Sequence, residues 1–341
     1  MIEEIPPFWW RKPGWQAWLL WPVSLVAGWI AARPLRARNR EEFDLPVLCI
    51  ATLAIGAYGR TEAAMALAVA ASRMGHRPGL VAAGPTGAFA APHRVDPHHD
   101  IARHVGDEAL QLARAAPTMI GGDRVAAGRA LAADGCDIVI IADGQVSEPI
   151  LADRTLVVAD AARGVGNGFV VPAGPVRAPL VEQFRHASAV LKLGDGDGAD
   201  RIVRLAARAA RPIYEAVIVA APGTDLSGRR VLAFAGTAAA GQFFEIVRAA
   251  GGDIEIERTF ADGHIYADDE LQELLAAAEA AGLGLVTTAR DAARMAHGSA
   301  AASEFRRRLT VIDTQVAFEL AHIPETIVRE TFEEWRRRKR A

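Results

Sequence analysis

Six residues, Gly56-Ala57-Tyr58-Gly59-Arg60-Thr61, have the types and spacing that could hold a phosphate. They follow a short apolar run and precede an alanine-rich stretch, so they sit where a strand turns into a helix. At such a turn, backbone N–H groups and the positive end of the helix favour an anion. In a working loop of this kind a lysine before the Ser/Thr reaches the terminal phosphates and the hydroxyl takes Mg2+. Arg60 stands in the lysine place, and Thr61 keeps the hydroxyl. Arginine retains the charge in a larger, planar, forked group. Tyr58 adds a bulky side chain to a loop that normally uses small residues. On its own the segment reads equally as a phosphate cradle or as an ordinary strand-to-helix turn.

Other chemistry-bearing clusters say less. His93, His98, His99 and His104 share a Pro- and Asp-containing loop without regular ligand spacing, so a solvated loop is the expectation. Leu-Gly-Asp-Gly-Asp-Gly-Ala-Asp at 193–200 has the aspartate rhythm of a calcium loop but lacks its terminal glutamate. Cys49 and Cys136 lie in apolar runs, which argues against a disulfide framework or a cysteine zinc site and fits a reducing compartment.

The elements that must position these residues alternate. Apolar runs at 45–50, 77–82, 137–141 and 155–158 read as buried strands, with helices at 62–73, 107–115 and 123–133. A second set follows: strands at 230–235, 253–260 and 284–288, helices at 242–249 and 268–281. This pattern predicts an α/β protein, a mostly parallel sheet covered on both faces plus a second, smaller α/β domain. Right-handed crossovers place the loops after the strands on one edge, where ligands bind. The expected division is 1–40 for an anchor helix and basic link, 41–225 for the phosphate-loop core, 226–330 for the smaller domain and 331–341 for a basic tail. A composition of 51% hydrophobic and 23% charged residues supports such cores, and a net charge of −3 argues against nucleic acid as a partner.

Six of the seven tryptophans fall between Trp9 and Trp29. Residues 15–32 carry no charge, Arg11 and Lys12 precede them, and Arg33, Arg36, Arg38 and Arg40 follow. Tryptophan favours the headgroup level of a bilayer and flanking cations attract anionic lipid, so a membrane-associated helix is expected. Its length leaves spanning and interfacial placement open, and packing on the protein's own core is the alternative.

Six separated segments, Pro6-Pro7-Phe8-Trp9-Trp10, Pro46-Val47-Leu48-Cys49, Val105-Gly106-Asp107-Glu108-Ala109-Leu110, Asp123-Arg124, Gly164-Val165-Gly166-Asn167-Gly168 and Pro172-Ala173-Gly174-Pro175-Val176-Arg177, stand in a distinctive order. Together they resemble the tetraacyldisaccharide 4′-kinases. The resemblance implies two α/β domains with ATP between them, and Mg2+-dependent phosphorylation of the 4′-hydroxyl of a lipid A disaccharide precursor. It implies a place among inner-membrane lipids at the cytoplasmic face of that membrane. It gives Gly56, Gly59, Arg60 and Thr61 to ATP, Thr61 and Asp143 to Mg2+, Asp107 to activation of the acceptor hydroxyl, and Glu108, Asn167 and Arg177 to substrate. The same residues have structural readings: Asp107 as a helix cap, Asp143 in a turn with Gly144, Arg177 paired with a carboxylate.

The chain departs from the family pattern at several of these places. Arg60 replaces a lysine, Ala142 the first of two aspartates, Ala51-Thr52 a Gly-Asn, Ala83-Gly84-Pro85-Thr86-Gly87 a Ser-Arg-Gly-Tyr-Gly, and Arg290 a lysine before Asp291. Gly263 stands at the expected histidine, and His264 substitutes for it as a catalytic residue only if the loop shifts by one position. Losing a general-base partner slows transfer by about a hundred- to ten-thousand-fold. The departures predict weak or lost turnover, the alternative being a non-catalytic nucleotide- or lipid-binding relative.

Overall fold

The computed structural model describes residues 6–36, 40–56, 58–85, 89, 91–144, 150–296 and 299–341. Two compact units emerge. The larger gathers Ile5–Arg94, Ala115–Val217 and Val316–Ala341, the smaller Val95–Arg114 and Ile218–Gln315. The sequence suggested boundaries that run along the chain; the units instead exchange segments, with Val95–Arg114 joining the smaller and the last 26 residues the larger.

The strands in chain order are β1 (Val47–Thr52), β2 (Pro78–Ala82), β3 (His93–Arg94), β4 (Thr118–Ile120), β5 (Ile138–Gly144), β6 (Arg154–Asp160), β7 (Ala189–Leu193), β8 (Ile213–Ala220), β9 (Arg230–Ala235), β10 (Asp253–Thr259), β11 (Gly284–Thr288), β12 (Leu309–Ile312) and β13 (Thr314–Phe318). The large sheet has the order β13-β8-β7-β6-β1-β5-β2-β4-β3. Pairings from β8 through β4 are parallel, and β3 joins β4 antiparallel. β1 and β2 are buried along their whole lengths, as strands covered on both faces must be. On one face two apolar clusters lie side by side, one with Phe43, Leu131, Val139 and Ile141 and the other with Leu53, Val157, Phe184 and Ile202, while Leu48, Ile50, Ile138 and Ile140 point to the opposite face and are fully buried.

Because the chain leaves β1 toward β2 on one side and later adds β6 on the other, β1 lies at the point where strand order reverses. In open parallel sheets the crevice beyond the carboxyl ends at that point is where ligands bind.

Helix Trp15–Arg36 is docked along one face. Ala17, Ser24, Gly28, Ala32 and Leu35 are buried. The Ala173 N–H donates to Ser24 Oγ at 2.8 Å, and the Arg36 guanidinium pairs with Glu182 at 2.8 Å. The opposite face exposes Trp15, Trp18, Leu19, Leu25, Val26, Trp29 and Ile30. The helix has 22 residues, and its 18-residue apolar window has a mean hydropathy of 1.2, long and apolar enough to cross a membrane. The basic C-terminal run is the last turn of helix Ile323–Arg340, whose Arg338 binds the buried Asp153 carboxylate at 2.7 and 3.2 Å.

The smaller unit is a parallel four-stranded sheet, β10-β9-β11-β12. Val231, Phe243, Phe244 and Val247 pack on one face, and Phe234, Leu271, Leu274 and Phe305 on the other. Phe234 is fully buried, with Phe260 and Tyr266 edge-on to its ring.

Candidate active site

In the larger unit the chain leaves β1 through buried Leu53 and Ala54, which are zipped to the Pro175–Arg177 segment. Ile55 N–H donates to Pro175 O at 2.9 Å, and Arg177 N–H to Leu53 O at 3.0 Å. Arg177 is thereby held beside the start of the glycine turn at 56–61. Gly56 (φ +73°) and Gly59 (φ +87°) take left-handed conformations, which only glycine adopts at little cost. Gly59 caps helix Arg60–Arg73 with no side-chain oxygen on the first amides. Thr61 is buried in the first turn and Arg60 half-buried; Ala57 lies outside the described residues.

The register of β5 beside β1, with Ala51 opposite Gly144, puts Asp143 at the carboxyl end of the neighbouring strand. Its side chain, and Thr86-Gly87 of the glycine-containing segment after β2, lie outside the described residues. Asn167 spends its amide within its own loop: Nδ2 donates to Ala173 O at 2.8 Å and Oδ1 accepts from Phe169 N–H at 3.0 Å. The Trp9 backbone O accepts from Asn167 N–H at 2.7 Å, so the Pro-Pro-Phe-Trp-Trp segment braces the Gly-Asn-Gly turn.

In the smaller unit Asp107 begins helix Asp107–Ala113 and accepts two arginines on one oxygen. Arg290 Nε donates to Oδ2 at 3.0 Å, and Arg294 Nη2 donates to the same atom. Glu108 N–H donates to Oδ1 at 3.0 Å, and the Glu108 carboxylate pairs with Arg290 at 3.2 Å. Burial works against the charge on Asp107, but Arg290 and Arg294 outweigh it and hold the carboxyl below its ordinary range. Burial likewise opposes the Arg290 cation, and Asp107 and Glu108 more than restore it.

Behind this pair lies a hub centred on the fully buried Asp291. Its Oδ1 accepts from Gly236 N–H (3.0 Å), Tyr266 O–H (2.8 Å) and Arg294 Nη1 (2.9 Å), and its Oδ2 accepts from Thr288 O–H (2.5 Å). Arg294 Nη1 also donates to Gly236 O at 2.8 Å. Burial, with Asp291 alongside, pushes the Tyr266 hydroxyl pKa upward, so it stays a donor. The motif reading singled out neither Arg294 nor Tyr266. A signal was available in Thr288-Ala289-Arg290-Asp291, a capping-box spacing in which Thr288 Oγ1 accepts from Asp291 N–H at 3.0 Å.

A cavity of about 160 Å3 opens beside Asp107, lined also by Arg103, Gly106, Gly263, Ile265 and Arg294. Gly263 thus faces the carboxylate. His264 is engaged elsewhere: its Nε2 lies 2.8 Å from Glu270, and its ring stacks on Phe260 at 4.8 Å.

The family model of tetraacyldisaccharide-1-P 4′-kinase, LpxK, matches residues 16–332. A tetraacyldisaccharide 4′-kinase of Mesorhizobium japonicum is 48% identical over 340 residues, covering 99% of each chain. That of Brucella anthropi is 44% identical over 332 residues, 96% of this chain and 97% of the other. Among solved structures, the "apo" form of LpxK from Aquifex aeolicus in complex with ATP superposes with a TM-score of 0.69 at 18% identity, covering 93% of this chain and 99% of that one. That likeness establishes the shared fold.

Proposed function

The chain belongs to the tetraacyldisaccharide 4′-kinase family, and we propose that it transfers the γ-phosphoryl group of ATP to the 4′-hydroxyl of a tetraacyldisaccharide lipid A precursor. The observation that carries this reading is the loop after β1, where left-handed Gly59 feeds an uncapped helix at the reversal point of the sheet. Its amides suit a phosphate chain, and the Arg60 guanidinium supplies charge. Thr61 and Asp143 fit Mg2+, an ion held by one or two protein oxygens and the substrate's phosphates, which would neutralise developing charge. In the smaller unit Asp107 receives the acceptor proton as the new O–P bond forms and the bond to ADP breaks, and Arg103 lines the cavity beside it.

Turnover is slow in this reading. Two guanidiniums on one oxygen make Asp107 a weak base, Gly263 offers no imidazole, and Arg60 replaces a compact ammonium. The same ion pairing supports a second reading, a relative that binds nucleotide or lipid without transfer. The anchor helix lies in the interface in the proposed arrangement, its docked face on the protein and its tryptophan face in lipid.

The test is phosphoryl transfer from γ-labelled ATP to the tetraacyl disaccharide in detergent micelles with Mg2+, beside a variant carrying Arg60→Lys, Ala142→Asp and Gly263→His. Slow transfer by the native chain and faster transfer by the variant is the expected result. Equal rates would refute the attenuation, and transfer by neither would refute the kinase reading.

A further inference from the structure

Helix Ala289–Arg294 is one and a half turns long, yet it carries three ionised side chains into the same small volume. Arg290 and Arg294, four residues apart, share a face and both reach Asp107. Asp291, between them, turns inward to the hub. The two arginines are not equivalent. The Arg290 side chain is 21% exposed and divides itself between Asp107 and Glu108. The Arg294 side chain is 6% exposed, and one of its nitrogens is committed to Gly236 O and Asp291 Oδ1 before the other meets Asp107.

Asp291 cannot move aside to follow a shift of Arg294, because Gly236 N–H, Tyr266 O–H and Thr288 O–H hold its oxygens. Nor is there slack at Gly236: a methyl there would lie 2.9 Å from Asp291 Oδ1 and 3.2 Å from the Tyr266 hydroxyl. Arg294 therefore acts as a strut between the end of β9 and the start of helix Asp107–Ala113. We infer that Arg294, anchored by Asp291, is a positioning residue that fixes the Asp107 carboxylate at the wall of the cavity. The inference rests on the reading of Asp107 as the proton acceptor.

Charge and geometry are separable here. The charged and titratable groups around Asp107 are Arg290, Arg294 and Asp291 of helix Ala289–Arg294, Glu108 of its own helix, Arg103 across the cavity, and Tyr266 with Asp262 on the loop after β10. Arg294→Lys keeps a cation beside Asp107 but has no fork to span three acceptors. Asp291→Asn is isosteric, leaves Asp107 and Arg294 intact, and removes the charge that anchors the strut.

The experiment measures kcat, KM for ATP and the pH profile of the full-length chain and of both variants. Asp107 is followed by NMR of carboxyl-labelled aspartate, its line assigned with Asp107→Asn. A positioning role predicts that both variants lose about a hundredfold in kcat, the cost of an ångström-scale misplacement, with KM for ATP within about twofold. The acid limb of Arg294→Lys stays where it is in the native chain, and the Asp107 line shifts in both variants. Wild-type kcat in Arg294→Lys, or a loss accounted for entirely by a moved acid limb, would overturn the inference. If the native chain transfers no phosphoryl group, the kinase reading fails by itself. The NMR then decides: a displaced Asp107 line in both variants upholds the strut, and unchanged lines refute it.

Discussion

Asp291→Ala tests whether the hub holds the smaller unit together. The substitution removes an acceptor that is fully buried and receives four side-chain or backbone donors. Gly236 N–H and Tyr266 O–H would each be stranded at about 1–3 kcal/mol, and a lost hydrogen bond to a charged partner costs about 1.5–3 kcal/mol. Thr288 recovers by rotating its hydroxyl, and Arg294 keeps Asp107 and Gly236 O. These costs do not add fully, and breaking a buried ionic pair typically costs about 3–5 kcal/mol. For a unit of roughly 120 residues each kcal/mol lowers Tm by about 3–5 °C, so a fall of about 10–20 °C is expected. Scanning calorimetry of the full chain measures it. All seven tryptophans lie in the larger unit, so a fluorescence melt serves as an internal control that should stay put. A calorimetric shift under about 3 °C would refute the reasoning.

Three further outcomes are expected. Below the ordinary carboxylate pKa of about 3.9, stability contributed by Asp107 is lost as pH falls through its depressed folded value, while above that range it is fully present. Urea midpoints at pH 7 and pH 3 should therefore diverge more in the native chain than in Asp107→Asn; equal divergence removes the argument. Leu19→Asp with Val26→Asp, both on the exposed helix face, should cut flotation with anionic vesicles at least about a hundredfold from lost apolar burial alone. Undiminished flotation would rule out that face as the lipid contact. Gly164 has φ +54°, and a methyl there would sit 1.9 Å from Gly198 O, so Gly164→Ala should cost at least about 2 kcal/mol by urea denaturation. Gly75→Ala, at φ +87° with open space around it, should cost only about 1 kcal/mol, and equal costs would contradict the clash.

Where one principle dominated, the chain could be read directly. The strands β9 and β11 and helix Asp268–Ala281 fall where the apolar runs and flanking turns put them, because buried parallel strands are continuous apolar runs. β4, with three residues, and β12, with four, are too short to carry a period, and β8 is mixed in burial. The turn from β1 into helix Arg60–Arg73 was visible because its glycines are punctuation. The exchange of Val95–Arg114 into the smaller unit was not, since nothing local marks a helix whose partner lies 183 residues away. Family resemblance points to Asp107, whereas its arginine clamp exists only in the folded chain: a charge pair leaves no spacing signature when its members are far apart in sequence. Asn167 shows the reverse limit, a motif residue whose amide is consumed by its own turn.

That exchange also governs how the protein can be made. At about 5–20 residues per second, translation delivers Asp107 roughly 10–40 s before Arg290 exists, so the segment emerges with neither its sheet nor its counter-ion. The larger sheet waits longer, because Arg338, 185 residues after Asp153, supplies the cation for that buried carboxylate. Each unit closes around its ions only after a partner made 183 or 185 residues later has appeared, so both fold well after the segments that carry their buried carboxylates have emerged.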